Sequence, residues 1–282
     1  MFEYKKESSG QLTFVEKVIH PRYDKISPPL RYPGSKFRAS KYILPHIKLN
    51  YDEYREPFFG GGAIFFKLPL VKFNWLNDID KDLMTTYRVM ADDKQREILA
   101  DRVKGVKPSK DYFNWLREQI YKDELDIAFQ YFVINRTAYG GIMNKPNFGF
   151  HKTKSVQPKG WPKRIEEAGE KLAFAKITSS HFRDVILKEA KGESVFLFID
   201  PPYFKADQKR AYRHSFTEKD HIELLELLKS TRFKFCLTYD DCDEIRKMYS
   251  WANLNGKEWM YHTANSNQAT RKKGKELVIT NY

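Results

Sequence analysis

Asp200, Pro201, Pro202 and Tyr203 stand together at the end of an apolar run, Val195 to Ile199. A carboxylate at the end of a strand can accept a hydrogen bond from an amino group. The two prolines forbid any continuation of sheet or helix, so the carbonyl of Pro201 is freed to accept a second. Two acceptors so placed would hold an exocyclic –NH2 and favour positive charge building on its nitrogen. The Tyr203 ring adds a flat face on which a nucleobase can stack. An incidental Asp-Pro turn explains one such pair well, and four residues of these types at the end of a buried strand poorly.

Two other strand ends carry suitable groups. In "PFFGGGAIFF", Gly60, Gly61 and Gly62 follow a strand at about 54–58 and allow close approach of the backbone to a ligand. An apolar helix start is expected behind them, with N–H groups to offer. Neither G-x-G-x-x-G nor G-x-x-x-x-G-K-[ST] occurs, so a phosphate loop is not indicated. In "LNDID", Asp78 follows Gly60 by 18 positions and ends the next strand. An acidic residue there accepts hydrogen bonds from ribose hydroxyls in nucleoside-binding α/β folds. A helix N-cap is the competing use.

The elements that must position these groups can be traced from Leu30 onward. Runs at about 54–58, 73–79 and 195–199, with "KITSS", "FKFCLTYDD" and "KELVITNY", read as strands separated by helical stretches. Strands that end on glycine turns or carboxylates point to a parallel sheet with its ligands at the carboxyl edge. "SFTEKDHIELLELLKS" predicts a helix with Thr217 as N-cap and Asp220 three residues on. From about 92 to 172 the pattern changes. "DYFNWLREQIYK", "ELDIAFQYFVINRT" and "RIEEAGEKLAFA" predict helices, and "AYGGIMNKPNFGFHK" predicts an exposed hairpin or loop. Residues 1–29 are polar and predict an irregular arm. The fold class is α/β with one mostly helical insertion.

Composition narrows the partners. Fifty lysines and arginines face 37 aspartates and glutamates, a net charge of +13 that suits a polyanion such as nucleic acid. Only Cys236 and Cys242 are present, too few and too badly spaced for a zinc site or a disulfide framework. That usage fits a reducing compartment. No apolar stretch approaches the ~20 residues of a membrane span, and "MFEYKKESSG" has no signal-peptide core. A soluble, cytoplasmic protein is expected.

Taken in order, "LRYPGSK", "FFGGG", "NDID", "NRTAYGG", "DPPY", "SFTEKDH" and "ELVITNY" resemble the Dam-type family (D12 class, alpha group) of DNA adenine-N6 methyltransferases. The likeness runs from about residue 30 to the C-terminus. It implies a Rossmann-like S-adenosylmethionine-dependent methyltransferase sheet. Residues 30–91 and 173–282 would form the catalytic domain, 92–172 an inserted DNA target-recognition region and 1–29 an N-terminal arm. It implies double-stranded DNA as partner, S-adenosylmethionine as cofactor, no metal, a monomer, and a bacterial or phage-encoded origin.

The resemblance also implies roles. Tyr32, Pro33, Gly34 and Lys36 would contact the methyl donor, Phe59, Gly60, Gly61 and Gly62 would pass under its methionine part, and Asp78 with Ile79 would meet its nucleoside. Asp200, Pro201, Pro202 and Tyr203 would hold the target adenine, with Asp200 also near the donor. Arg31, Asn135, Arg136, Tyr139, Gly140, Ile142 and Asn144 would contact DNA, Tyr139 filling the gap left by an extruded base. Extrusion is required because the target nitrogen is out of reach inside a duplex. Members that read GATC carry arginine at the Asn144 position and often Asn at that of Gly140, and their hairpin is longer. A different or relaxed site is therefore implied. His181 stands where members commonly carry Asp. Two other readings stay open here: an RNA adenine-N6 methyltransferase, and a non-catalytic DNA-binding protein on a vestigial fold. The presence of Asp78, Asp200 and the glycines weighs against the second.

Overall fold

The computed structural model describes residues 2–6, 12–16, 26–48, 50–205, 213–260 and 273–282. Phe2–Lys6 (β1) and Leu12–Glu16 (β2) pair antiparallel as a separate two-stranded sheet. The arm expected to be irregular therefore contains regular structure. Phe2, Tyr4, Thr13, Phe14 and Val15 are strand-favouring residue types, which the polar composition of the segment masks.

The main sheet has seven strands: Glu53–Glu56 (β3), Phe73–Asn77 (β4), Ala175–Thr178 (β5), Val195–Ile199 (β6), Lys234–Asp240 (β7), Asn253–Met260 (β8) and Lys273–Thr280 (β9). Their order is β5-β4-β3-β6-β7-β9-β8. β3 to β7 run parallel, and β9 lies antiparallel between β7 and β8. The chain starts in the middle at β3, builds outward through β4 and β5, and returns to the other side with β6. Crossover loops thus diverge beyond the carboxyl ends of β3 and β6, and a crevice opens there.

Nine helices among the described residues cover the sheet: Ser40–Ile43 (α1), Lys81–Ala91 (α2), Asp93–Lys104 (α3), Lys110–Glu118 (α4), Glu124–Thr137 (α5), Trp161–Leu172 (α6), Phe182–Leu187 (α7), Glu218–Ser230 (α8) and Asp243–Met248 (α9). Side-chain caps start α2, α3, α4, α5 and α8 at Asp80, Asp92, Ser109, Asp123 and Thr217. The Thr217–Asp220 pair forms the expected reciprocal cap.

β6 is buried along its whole length and its side chains alternate between two cores. Phe196 and Phe198 join Tyr54, Leu76 and Cys236 against Leu83 and Tyr87 of α2, Val103 of α3, Phe132 of α5 and Ile165 of α6. Val195, Leu197 and Ile199 join Leu237 and Ile279 against Ile186 of α7, Leu224 and Leu228 of α8 and Ile245 of α9. The helices of the 92–172 stretch therefore share one core with the sheet.

The glycine turn departs from expectation. Behind Gly62 the chain makes only a short 3-10 turn, Phe65–Lys67, and not a helix. Pro69 explains the stop, because it drives Leu68 into extended conformation, at φ −90 and ψ 152.

Candidate active site

Each of the four central strands delivers a carboxylate at or just beyond its end: Glu56 from β3, Asp78 after β4, Asp200 after β6 and Asp240 from β7. Glu56, Asp78 and Asp200 line one cleft over the β3–β6 divergence, which encloses about 780 Å³ of empty space, part of it open solvent. Tyr32, Pro33, Gly34, Lys36, Phe59, Gly60, Gly61, Gly62, Ile79 and Pro202 line the same cleft. Every residue expected to hold a donor is thus brought together.

The Asp78 carboxyl group is fixed by two backbone donors: Gly60 N–H reaches Oδ2 at 2.8 Å and Asp80 N–H reaches Oδ1 at 3.0 Å. Asp80, not Asp78, caps α2, accepting from the N–H groups of Asp82 and Leu83. The competing N-cap use is therefore taken by the neighbour, and Asp78 stays turned to the cleft. Burial raises its pKa to about 6, opposed by those backbone hydrogen bonds. Ile79 beside it is 48% exposed, an apolar surface left open in the cleft. Gly60 has φ +47, and a Cβ there would stand 2.9 Å from the Tyr32 ring. The turn and the Tyr32–Lys36 segment therefore meet at a distance only glycine permits. A narrow cradle, a buried acceptor pair and an exposed apolar side chain fit an amphipathic nucleoside-bearing ligand.

Asp200 is held by two neighbours. Lys36 Nζ lies 2.8 Å from its Oδ1, and Thr238 Oγ1 donates to the same oxygen at 2.6 Å. Lys36 also donates to the Gly34 carbonyl at 2.8 Å and sits 4.6 Å from the centre of the Tyr203 ring. Asp240 accepts from the N–H groups of Phe204 and Lys205 at 3.0 and 3.1 Å, fixing the chain just after Tyr203. Pro201 is buried, and among the described residues no donor occupies its carbonyl. Two acceptors and a ring are thus presented by one short segment clamped from β7.

Several participants went unread in the sequence. Glu56 is buried, accepts from the Tyr54 hydroxyl at 2.7 Å, and has its pKa pushed well up by burial. Thr238 and Asp240 belong to "FKFCLTYDD", another strand ending on acids, and the strand-end signal that marked Asp78 applied to both Glu56 and Asp240. Arg213 also lines the cleft, donating to Asp80 Oδ1 at 3.1 Å and to Asp82 Oδ2 at 2.9 Å. His181 caps α7 and lies 4.2 Å from the Phe182 ring, a structural placement. Its ring approaches Asp220 and Glu223, but Asp220 serves the Thr217 cap and Glu223 pairs with Arg183.

The residues expected to touch nucleic acid divide. Tyr139 is 42% exposed and Gly140 is exposed, while Ile142 and Asn144 are half-buried. They sit on a hairpin closed by the Ala138–Phe148 bridge and by Tyr139 N–H donating to the Asn147 carbonyl at 2.7 Å. Asn135 and Arg136 are turned inward. Both are buried in the last turn of α5, whose residues from Tyr131 to Thr137 all face protein. Burial, with Arg31 and Arg164 nearby, lowers the pKa of Arg136 to about 9. Arg31 is turned inward as well. Its Nη2 donates to the carbonyls of Asn135 and Arg136 at 3.0 and 3.1 Å and to that of Ala138, neutralising the carbonyl end of α5.

Residues 32–263 match the family model for D12 class N6 adenine-specific DNA methyltransferases. The chain is 27% identical over 277 residues to a Type II methyltransferase of Lactococcus lactis subsp. cremoris, covering 89% of this chain and 95% of that one. It is 26% identical over 233 residues to a Type II methyltransferase of Paramecium bursaria Chlorella virus NC1A, covering 79% and 86%. A DNA N-6-adenine-methyltransferase of Escherichia phage P1 is 26% identical over 256 residues, covering 83% of this chain and 32% of the phage protein.

Proposed function

As this chain belongs to the D12 class of N6 adenine-specific DNA methyltransferases and methylates adenine in DNA, we propose that S-adenosylmethionine is the donor and that the cleft described above is where transfer occurs. The observation that carries this is the meeting of the Gly60–Asp78 cradle with Asp200 and Pro202 on one cleft at the point where the strand order reverses. The Asp78 carboxyl oxygens would accept the ribose hydroxyls, Ile79 would cover one face of the donor base, and Tyr32 with Gly60 and Gly61 would confine the methionine end. When bound, the donor supplies a sulfonium methyl group open to direct displacement.

The protein's own work is to make a poor nucleophile attack. The N6 lone pair of adenine is delocalised into the ring. Asp200 and the Pro201 carbonyl would accept its two N–H groups and draw the nitrogen toward tetrahedral geometry. The positive charge that grows on it would be met by the Asp200 carboxylate in a partly buried setting. Tyr203 would stack on the extruded base. Asp200 need not act as a general base, because the proton left on the methylated nitrogen is acidic enough to depart to water.

Tyr139, Gly140, Ile142 and Asn144 are proposed to meet double-stranded DNA, and the 92–172 stretch to carry target recognition from the base that α5 provides. Cytoplasmic work as a monomer belongs to the same proposal. None of the described helices is long and apolar enough to cross a membrane. The reading is tested by incubating the protein with methyl-labelled S-adenosylmethionine and either plasmid DNA or RNA of matched sequence. Label in N6-methyldeoxyadenosine from DNA alone is expected. Label in RNA alone would favour the RNA reading, and no donor binding would favour a vestigial fold.

A further inference from the structure

Glu276 stands on β9 with its Cα opposite Asp240 of β7, and its side chain is buried at the catalytic edge of the sheet. Its carboxyl oxygens meet no donor at full hydrogen-bond geometry, the Tyr203 hydroxyl being a donor beside them. A buried carboxyl group is costly to leave unmet. Its surroundings are charged: the Lys36 ammonium and the Tyr203 hydroxyl favour its ionised form, while burial, Asp200 and Asp240 oppose it and hold its pKa at about 7.

Lys36 is the natural counterpart. Its Nζ touches the Gly34 carbonyl and Asp200 Oδ1, each at 2.8 Å, above the Tyr203 ring. An ammonium carries three N–H donors on a flexible stem, so it can exchange one carboxylate for another whose charge it already feels. In the free protein this ion pair satisfies Asp200. Once an amino nitrogen begins to gain positive charge against Asp200, an ammonium on the same carboxylate opposes that gain.

We propose that Glu276 is a positioning residue that receives the Lys36 ammonium when the target amino group engages Asp200, leaving the Asp200 charge to the reacting nitrogen. The inference rests on the reading of Asp200 given above and deepens it. The exchange makes and breaks only ion pairs and hydrogen bonds.

A double-mutant cycle on single-turnover methyl transfer, at saturating donor and DNA, tests it. Glu276→Gln keeps the shape of the side chain and removes its charge. Transfer about 30-fold slower is expected in the otherwise unchanged protein, with donor and DNA affinities within about twofold. In a Lys36→Gln background the same change should cost no more than about twofold, because there is no ammonium to receive. Equal losses in both backgrounds, or no loss in the first, would overturn the proposal. If Glu276→Gln does not fold, the structure of the unaltered protein with a non-reactive donor analogue and a duplex carrying its site decides. Lys36 Nζ should then lie about 3 Å from a Glu276 oxygen; Lys36 still on Asp200 with Glu276 unmet would contradict the exchange. Undiminished transfer by Asp200→Ala would instead remove the parent reading, so the two failures are distinct.

Discussion

Asn135 grips the main chain of Arg31 on both sides: its Oδ1 accepts the Arg31 N–H at 2.9 Å and its Nδ2 donates to the Arg31 carbonyl at 2.7 Å. The same Nδ2 reaches the Gly141 carbonyl at 3.2 Å. One buried amide therefore fastens Arg31, just ahead of the Tyr32–Lys36 stretch that lines the cleft, to the foot of the hairpin that bears Tyr139. On the function proposed above, donor holding and base extrusion would share this joint.

Asn135→Ala leaves three buried backbone groups unmet and is expected to cost about 3 kcal/mol of stability. It should weaken donor and DNA binding together. Urea unfolding and isothermal titration check both parts. A loss of DNA affinity alone would indicate direct contact with nucleic acid.

Donor affinity should depend on pH through Asp78. Its pKa lies near 6 in the folded protein because burial disfavours the charge, against about 3.9 in an unfolded chain. Between those values the folded state binds more protons than the unfolded one, so stability from this group falls as pH rises from about 4 to 6. Ribose hydroxyls need the ionised acceptor, so donor binding should strengthen as pH rises through about 6 and level off above it. Titration of the donor from pH 5 to 8 is the measurement, and Asp78→Asn should flatten the step.

Tyr139→Ala should slow methylation of duplex DNA by about tenfold, since nothing would fill the stack behind the extruded base. The defect should shrink when the target adenine sits opposite a gap, where less unpairing and unstacking is required. Asn144→Arg, on the same hairpin, should shift site preference on a random-sequence duplex pool, read by sequencing that detects N6-methyladenine.

How far the sequence could be read depended on distance along the chain. The DPPY, FFGGG and NDID stretches each announce themselves because strand end, turn and functional group are adjacent. Glu56, directly before "PFFGGG", and Asp240, at the end of "FKFCLTYDD", obey the same rule. Thr238 and Glu276 leave no such trace, since Thr238 comes to Asp200 only when β7 pairs with β6, and Glu276 comes opposite Asp240 only when β9 pairs with β7. The burial of Asn135 and Arg136 is hidden for a different reason. They adjoin exposed Tyr139 in one motif, and α5 is apolar on nearly every side, so its periodicity does not say which residues are buried. The helix expected after the glycines failed on Pro69, which was legible.

The most direct measurement is single-turnover transfer by Asp200→Ala, made alongside titration of the donor and a thermal melt. Transfer should fall about 1,000-fold or more, with a folded protein whose donor affinity stays within about tenfold of the unaltered chain. Transfer at an undiminished rate would contradict the amino-group clamp at the end of β6.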